Sequence, residues 1–136
     1  MNKLRNPLVA LGALVLACAP LLATAQDYPS RPLRMIVAFP PGGSTDVLAR
    51  IIGAKLTETW GQQVVVDNRP GAGTNIGTEL AAKSPPDGYT LFMCTFTCAI
   101  NPNLYAKLNY DLLRDLAPVS LVATVPLIIL VHPSVP

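Results

Sequence analysis

Pro32-Leu33-Arg34-Met35-Ile36-Val37-Ala38-Phe39, followed at once by Pro40-Pro41-Gly42-Gly43-Ser44-Thr45-Asp46, decides the fold. The first eight residues are a nearly continuous apolar run fenced by prolines, which suits a strand buried on both faces, as in a parallel sheet. The prolines and glycines then make a turn. Ser44 stands where an N-cap is expected, and Asp46 falls in the first helical turn, where its charge suits the helix dipole. Val47, Leu48, Ile51, Ile52 and Leu56 continue at helical spacing. Gly61 is placed as the C-cap glycine. Asp46 and Arg50 are four apart in the favourable acid-first order.

Toward the carboxyl end the pattern repeats. Gln63 to Asn68 contains Val64-Val65-Val66 and reads as a second strand. Asn68 to Gly73 is turn chemistry, and a shorter helix is expected from about Asn75 or Ile76 to Lys83. Ser84-Pro85-Pro86-Asp87-Gly88 forms the next turn, and Tyr89 to Cys94 a third strand. A βαβαβ order with short loops implies an α/β fold: a parallel sheet with right-handed crossovers. Between Asn101 and Asp115 one or two short helical turns are expected, around Asn101-Pro102 and Asp111-Leu112. Val119 to Ala123 and Leu127 to Val131 read as further strands separated by Pro126. There is no internal repeat.

Toward the amino end the chain carries an address. Lys3 and Arg5 precede an uncharged run from Leu8 to Ala19, and Ala23-Thr24-Ala25 supplies the small-x-small pattern. Residues 1–25 are expected to be a secretory signal peptide cleaved before Gln26, delivering the protein to the periplasm. Lipoprotein processing at Cys18, after Val15-Leu16-Ala17, is the alternative. A membrane anchor fits poorly, because Gly12 and Pro20 interrupt a run that falls short of about 20 clean apolar residues.

Composition narrows the classes. The 136 residues include 10 Lys and Arg against 8 Asp and Glu, 51% hydrophobic residues and 13% charged. That is one small domain or part of a larger protein. A net charge of +2, scattered along the chain, gives no nucleic-acid footprint. One His and three Cys argue against a dense metal site or a disulfide framework. Without residues 1–25, which hold Lys3 and Arg5, 8 basic residues face 8 acidic ones. A ligand must then be held by local dipoles rather than a global field.

Two segments share one design of strand, glycine-rich turn, small hydroxyl residue and helix: Phe39 to Asp46, and Pro70-Gly71-Ala72-Gly73-Thr74-Asn75-Ile76-Gly77-Thr78. In an open parallel sheet both loops lie at the carboxyl ends of strands, the usual ligand side. Helix N-termini receive anions without Lys or Arg. A nucleotide phosphate fits badly. The phosphate-loop Lys is absent, and Gly71, Gly73 and Gly77 miss the dinucleotide spacing by one residue. A small carboxylate fits better.

Enzymatic readings fare worse. There is no G-x-S-x-G elbow, and Ser44 has only the distant His132 as a base. A secreted α/β hydrolase using Ser44 or Asp46 therefore lacks its catalytic partner. His132 is read as structural or exposed, and Trp60 and the tyrosines as packing. Cys94 and Cys98 have C-x-x-x-C spacing rather than the C-x-x-C redox pattern. Both a disulfide and two thiols held apart remain open for them.

Residues 27–46 (Asp27 to Asp46, with Ala49-Arg50 after them) are similar to the opening of the Bordetella uptake gene (Bug) receptors, also called TctC-type. These are the periplasmic solute-binding proteins of tripartite tricarboxylate transporters. Val66 to Gly73, Asn75-Ile76-Gly77, Pro86 to Leu91, Ala99 to Pro102 with Leu104-Tyr105, and Leu116 to Ser120 continue the resemblance across the chain. It implies a type II periplasmic-binding-protein fold, with two α/β domains closing on a small organic carboxylate. No covalent chemistry and no cofactor are implied, and the partners are the transporter's membrane components. A complete receptor is expected to be monomeric. The carboxylate-gripping loops carry over to Pro41, Gly42, Gly43, Ser44, Thr45 and Asp46, and to Gly73, Thr74, Asn75 and Gly77. Thr95, in the loop Thr95 to Thr97 after the third strand, joins them. Thr74 stands where Gly is common, and Cys94 to Cys98 where small residues are common. Relatives of this kind run on into a second domain, so residues 26–136 are expected to be mostly the first domain, with the second missing. A truncated copy or a non-functional fragment follows as an alternative.

Overall fold

The structure, a computed structural model, describes residues 27–126 and 128–135. The leader expected at residues 1–25, with Cys18, lies outside them. The chain divides into a unit ending at Ser30 and a second unit, Arg31–Pro136. Of the first, residues 27–30 are described; they form no regular element. Among the described residues all regular structure lies in the second.

β1 (Leu33–Val37) is followed by α1 (Ser44–Trp60), β2 (Val64–Asn68), a 3-10 turn (Ala72–Thr74), α2 (Asn75–Ala82), β3 (Thr90–Met93), α3 (Phe96–Leu104) and α4 (Leu112–Asp115). The three strands form one sheet in the order β2-β1-β3, and both pairings are parallel. β1, the central strand, is the most buried, as its nearly continuous apolar run requires. Leu33, Met35 and Val37 point to one face and make a core with Ala49 and Val64, flanked by Ile52 and Leu56. Ala38 faces the other side, where Gly77 of α2 lies against it. The sheet is thus covered on both faces.

Three expectations need correction. Ser44 is not the N-cap: Gly43 caps α1 with extended backbone and no side-chain bond, and Ser44 is already helical. The buried stripe of α1 is Asp46, Ala49 and Gly53, while Val47 and Ile51 are exposed. Small side chains on that stripe let the helix lie close to the sheet. The third correction concerns residues 119–131, which form no strand among the described residues. A strand is defined by its neighbour, and this segment has none; Leu127 lies outside the description. Also unforeseen is the length of α3, which starts two residues after β3, takes Phe96 and Thr97 out of the expected loop Thr95 to Thr97, and carries Pro102 within it. Gly61 caps α1 as expected, in the left-handed conformation, with its N–H on Thr57 O at 3.0 Å.

Candidate functional site

The strand register ends all three strands at one level. Val37 sits opposite both Asn68 and Met93, so the loops that follow start side by side. The chain steps from β1 to β2 on one side, then returns past β1 to β3. That reversal makes the crevice beside β1 the switch point where open α/β sheets bind ligands.

The first loop is braced from within. Asp46 is 2% exposed, and its Oδ2 accepts hydrogen bonds from the Gly42 N–H at 2.9 Å and Arg50 Nε at 3.0 Å. Its Oδ1 accepts from Asn68 Nδ2 at 2.9 Å, and the same amide reaches Phe39 O at 3.0 Å. Arg50 Nη2 returns to Asn68 Oδ1 at 3.2 Å. The bond from Arg50, then those from Gly42 and Asn68, hold the Asp46 carboxyl far below the usual carboxylate range. Gly42 and Asp46 are therefore occupied in shaping the loop. The first intrahelical bond of α1 is Val47 N–H to Gly43 O at 3.0 Å. The N–H groups of Ser44, Thr45 and Asp46 precede it and have no helical acceptor. Pro41, Gly43 and Ser44 are exposed beside them, and Thr45 is half-buried.

The second loop is held by side chains from farther along the chain. Ala72, Gly73 and Thr74 all have positive φ (45°, 61° and 80°), which is uncommon for Ala and Thr. Asn101 Nδ2 donates to Gly73 O at 2.8 Å, Thr74 Oγ1 at 3.2 Å and Asn75 Oδ1 at 2.7 Å. Tyr110 Oη donates to the same Asn75 Oδ1 at 2.6 Å, and Tyr105 Oη to Ala72 O at 3.3 Å. With Oδ1 doubly engaged, Asn75 keeps its amide NH2 for other partners. Gly77 is a packing residue: a Cβ there would stand 2.7 Å from Ala38 Cβ and 2.8 Å from Arg69 O.

Thr95 joins the third loop to the second. Its Oγ1 lies 2.7 Å from Thr97 Oγ1, which in turn accepts from Thr74 Oγ1 at 3.2 Å. Cys94 and Cys98, on either side, are free thiols. Sequence reasoning thus found the loops but missed Asn68, Asn101, Tyr105 and Tyr110, which shape them. Nothing local in the sequence marks the tyrosines for this, because their polar contacts span 33 and 35 positions of the chain.

Ser44 has no hydrogen-bonded base among the described residues. His132 is exposed and bonded to Ser134 Oγ at 2.7 Å. A separate concavity of about 450 Å³ is lined by Arg31, Arg34, Asp67, Asp87 and Tyr89, among others. Its cations are already paired: Arg31 with Asp87 at 2.7 Å, and Arg34 with Asp67. Among the described residues no group of three His, Cys, Asp or Glu could hold a metal ion, and no helix is long and apolar enough to cross a membrane.

Comparison with known proteins agrees with the α/β fold. Residues 48–136 match the family described as the tripartite tricarboxylate transporter family receptor. Protein BugT of Bordetella pertussis is 46% identical over 98% of this chain and 42% of its own length. The chain therefore spans less than half of that relative. A solved periplasmic transporter is 48% identical, with a TM-score of 0.60 over 62% of this chain and 29% of that one. A TctC solute binding protein from Polaromonas, solved without ligand, is 36% identical, with a TM-score of 0.54 over 57% of this chain and 27% of its own.

Proposed function

The chain belongs to the tripartite tricarboxylate transporter receptor family, and from that premise we propose that it binds a small organic carboxylate for such a transporter. The family's members are solute-binding receptors rather than enzymes. The carrying observation is the head of α1. There Asp46 turns inward onto Gly42, leaving the N–H groups of Ser44, Thr45 and Asp46 and the Ser44 hydroxyl at the switch point. A carboxylate meeting these donors completes the orphan amides and meets the positive end of the helix dipole. Each hydrogen bond to a charged group contributes about 1.5–3 kcal/mol, so three or four approach the roughly 8 kcal/mol of micromolar binding once ordering costs are met. Pro41, Gly43 and Thr45 line the same rim, with Gly73, Thr74, Asn75 and Thr95 setting its far side and the Asn75 amide as a further donor. The transporter's membrane components are the proposed partners, and the periplasm the proposed compartment. An exported chain whose amino-terminal residue is Gln26 checks the latter.

The site is tested by replacing Gly43 with Val together with Ser44→Ala. Gly43 has φ −78°, and a Cβ there approaches only Pro40 O, at 3.9 Å. The loop therefore keeps its shape while bulk covers the donors. In an NMR titration with succinate, the amides of residues 43–46 should shift in the wild-type protein and stay still in the variant, with the remaining spectrum preserved. Equal shifts with the uncharged succinamide, or an unchanged response in the variant, would sink the assignment.

A further inference from the structure

Solute binding leaves one piece of chemistry on this edge unused. Cys94 leaves β3 exposed to solvent, and Cys98, 1% exposed, sits on the first turn of α3. One carbonyl joins them: Thr95 O accepts from Cys94 Sγ at 3.4 Å and from the Cys98 N–H at 3.0 Å. The exposed sulfur is thereby drawn onto the turn that carries the buried one. Cys98 Sγ lies 3.9 Å from Thr78 Oγ1. The Cys94 thiol first, then the backbone N–H groups of Thr95 and Cys98 and the Thr78 hydroxyl, hold the Cys98 thiol down to about 6. The same contact pushes Cys94 up. The lowered thiol, Cys98, stands in the first turn of α3, where the helix N-terminus favours a thiolate.

We propose that Cys94 and Cys98 are a redox-active dithiol, which closes to an intramolecular disulfide by exchange with a small disulfide such as oxidised glutathione. In the first step the solvent-open Cys94 sulfur gives its proton to water as it attacks one sulfur of the oxidant and expels one glutathione thiolate. In the second, Cys98 is already the favoured thiolate. The Cys98 thiolate then attacks Cys94 Sγ in the mixed disulfide and expels the second glutathione thiolate. Two cysteine sulfurs are oxidised, one disulfide is reduced to two thiols, and no other reagent is needed. The proposal is independent of what the neighbouring loops bind.

The test uses the folded full chain with Cys18→Ser, so that only this pair can react. It is treated with oxidised glutathione at neutral pH, quenched with N-ethylmaleimide and read by mass spectrometry. The expected product has lost two hydrogens, carries no glutathione and links residues 94 and 98. It should form roughly tenfold faster than in the same chain unfolded in urea, because the fold pre-positions both sulfurs. Adding Cys98→Ser should stop the reaction at a Cys94–glutathione mixed disulfide. The proposal is overturned if the folded protein keeps two alkylatable thiols or accumulates the mixed disulfide as the Cys98→Ser variant does. Equal rates in the folded and unfolded chain also overturn it. The folded-against-unfolded comparison needs no variant at position 98, so it decides even if Cys98→Ser does not fold.

Discussion

A carboxylate in the first turn of a helix usually serves that helix's own N–H groups, but Asp46 bonds backward to the Gly42 N–H and sideways to Arg50 and Asn68. Its charge therefore stabilises the loop, while the helix amides stay free for a ligand. The sequence offered half of this: the Asp46–Arg50 spacing is plain in one dimension, whereas the partnership with Asn68 spans 22 positions and needs the parallel register. The consequence is a pH dependence of known sign. Because the folded carboxyl titrates below its unfolded value, its contribution is fully present above about pH 4 and is lost as pH falls toward the folded value. Asp46→Asn should lower the melting temperature at pH 7 by a few degrees. The gap to wild type should narrow steadily below about pH 4. Melting curves at pH 7, 4 and 2.5 measure it, and a gap that stays constant would show that the ionised carboxylate is not the source of the stabilisation. Asp115, held down to about 2 chiefly by Arg114, leaves both proteins a shared residual slope.

At the scale of elements, two helical glycines separate propensity from packing. Gly53 in α1 and Gly77 in α2 are both buried, and both weaken a helix by propensity alone. A Cβ on Gly53 would meet Val64 Cγ1 at 3.4 Å, a contact a side chain can accommodate. Gly53→Ala should raise stability by up to about 1 kcal/mol. On Gly77 the same methyl would meet the backbone of Ala38 and Arg69 within 2.9 Å, so Gly77→Ala should destabilise by about 1–3 kcal/mol. Urea denaturation of both variants checks the pair of signs, and two changes in the same direction would refute the close-approach account. Elements whose signals are local were legible beforehand. β1, β2, β3, α1 and α2 all follow from apolar runs, caps and turn residues. α3 was not, because Thr95, Thr97 and Pro102 weaken its helical pattern while its anchors, Cys98 and Asn101, are buried against distant residues. Asn101 illustrates the difficulty, since its acceptors lie 26 to 28 positions earlier.

Across the whole molecule the least settled surface is residues 119–131. Their β-branched and leucine-rich sequence predicted strands, yet Val119, Leu121, Ile128, Ile129 and Leu130 are all at least 78% exposed. β-propensity reflects fit to a pleated, half-buried surface, so without a neighbour the same residues present a run of exposed apolar side chains. The glycine loops were legible for the opposite reason: their donors belong to local backbone and need no partner to be recognised. An apolar segment with unpaired backbone groups is a template for association. The protein should therefore bind the dye ANS and scatter light increasingly with concentration. Ile129→Lys with Val131→Glu should suppress both, because each puts a charge on an exposed apolar position outside the core around Leu33 and Val37. The melting temperature should stay within about a degree of wild type, as expected for surface changes. A wild-type chain that stays monomeric and dye-free at every concentration would mean that this segment is covered by the protein itself. A fall in melting temperature in the variant would mean that it packs on the sheet.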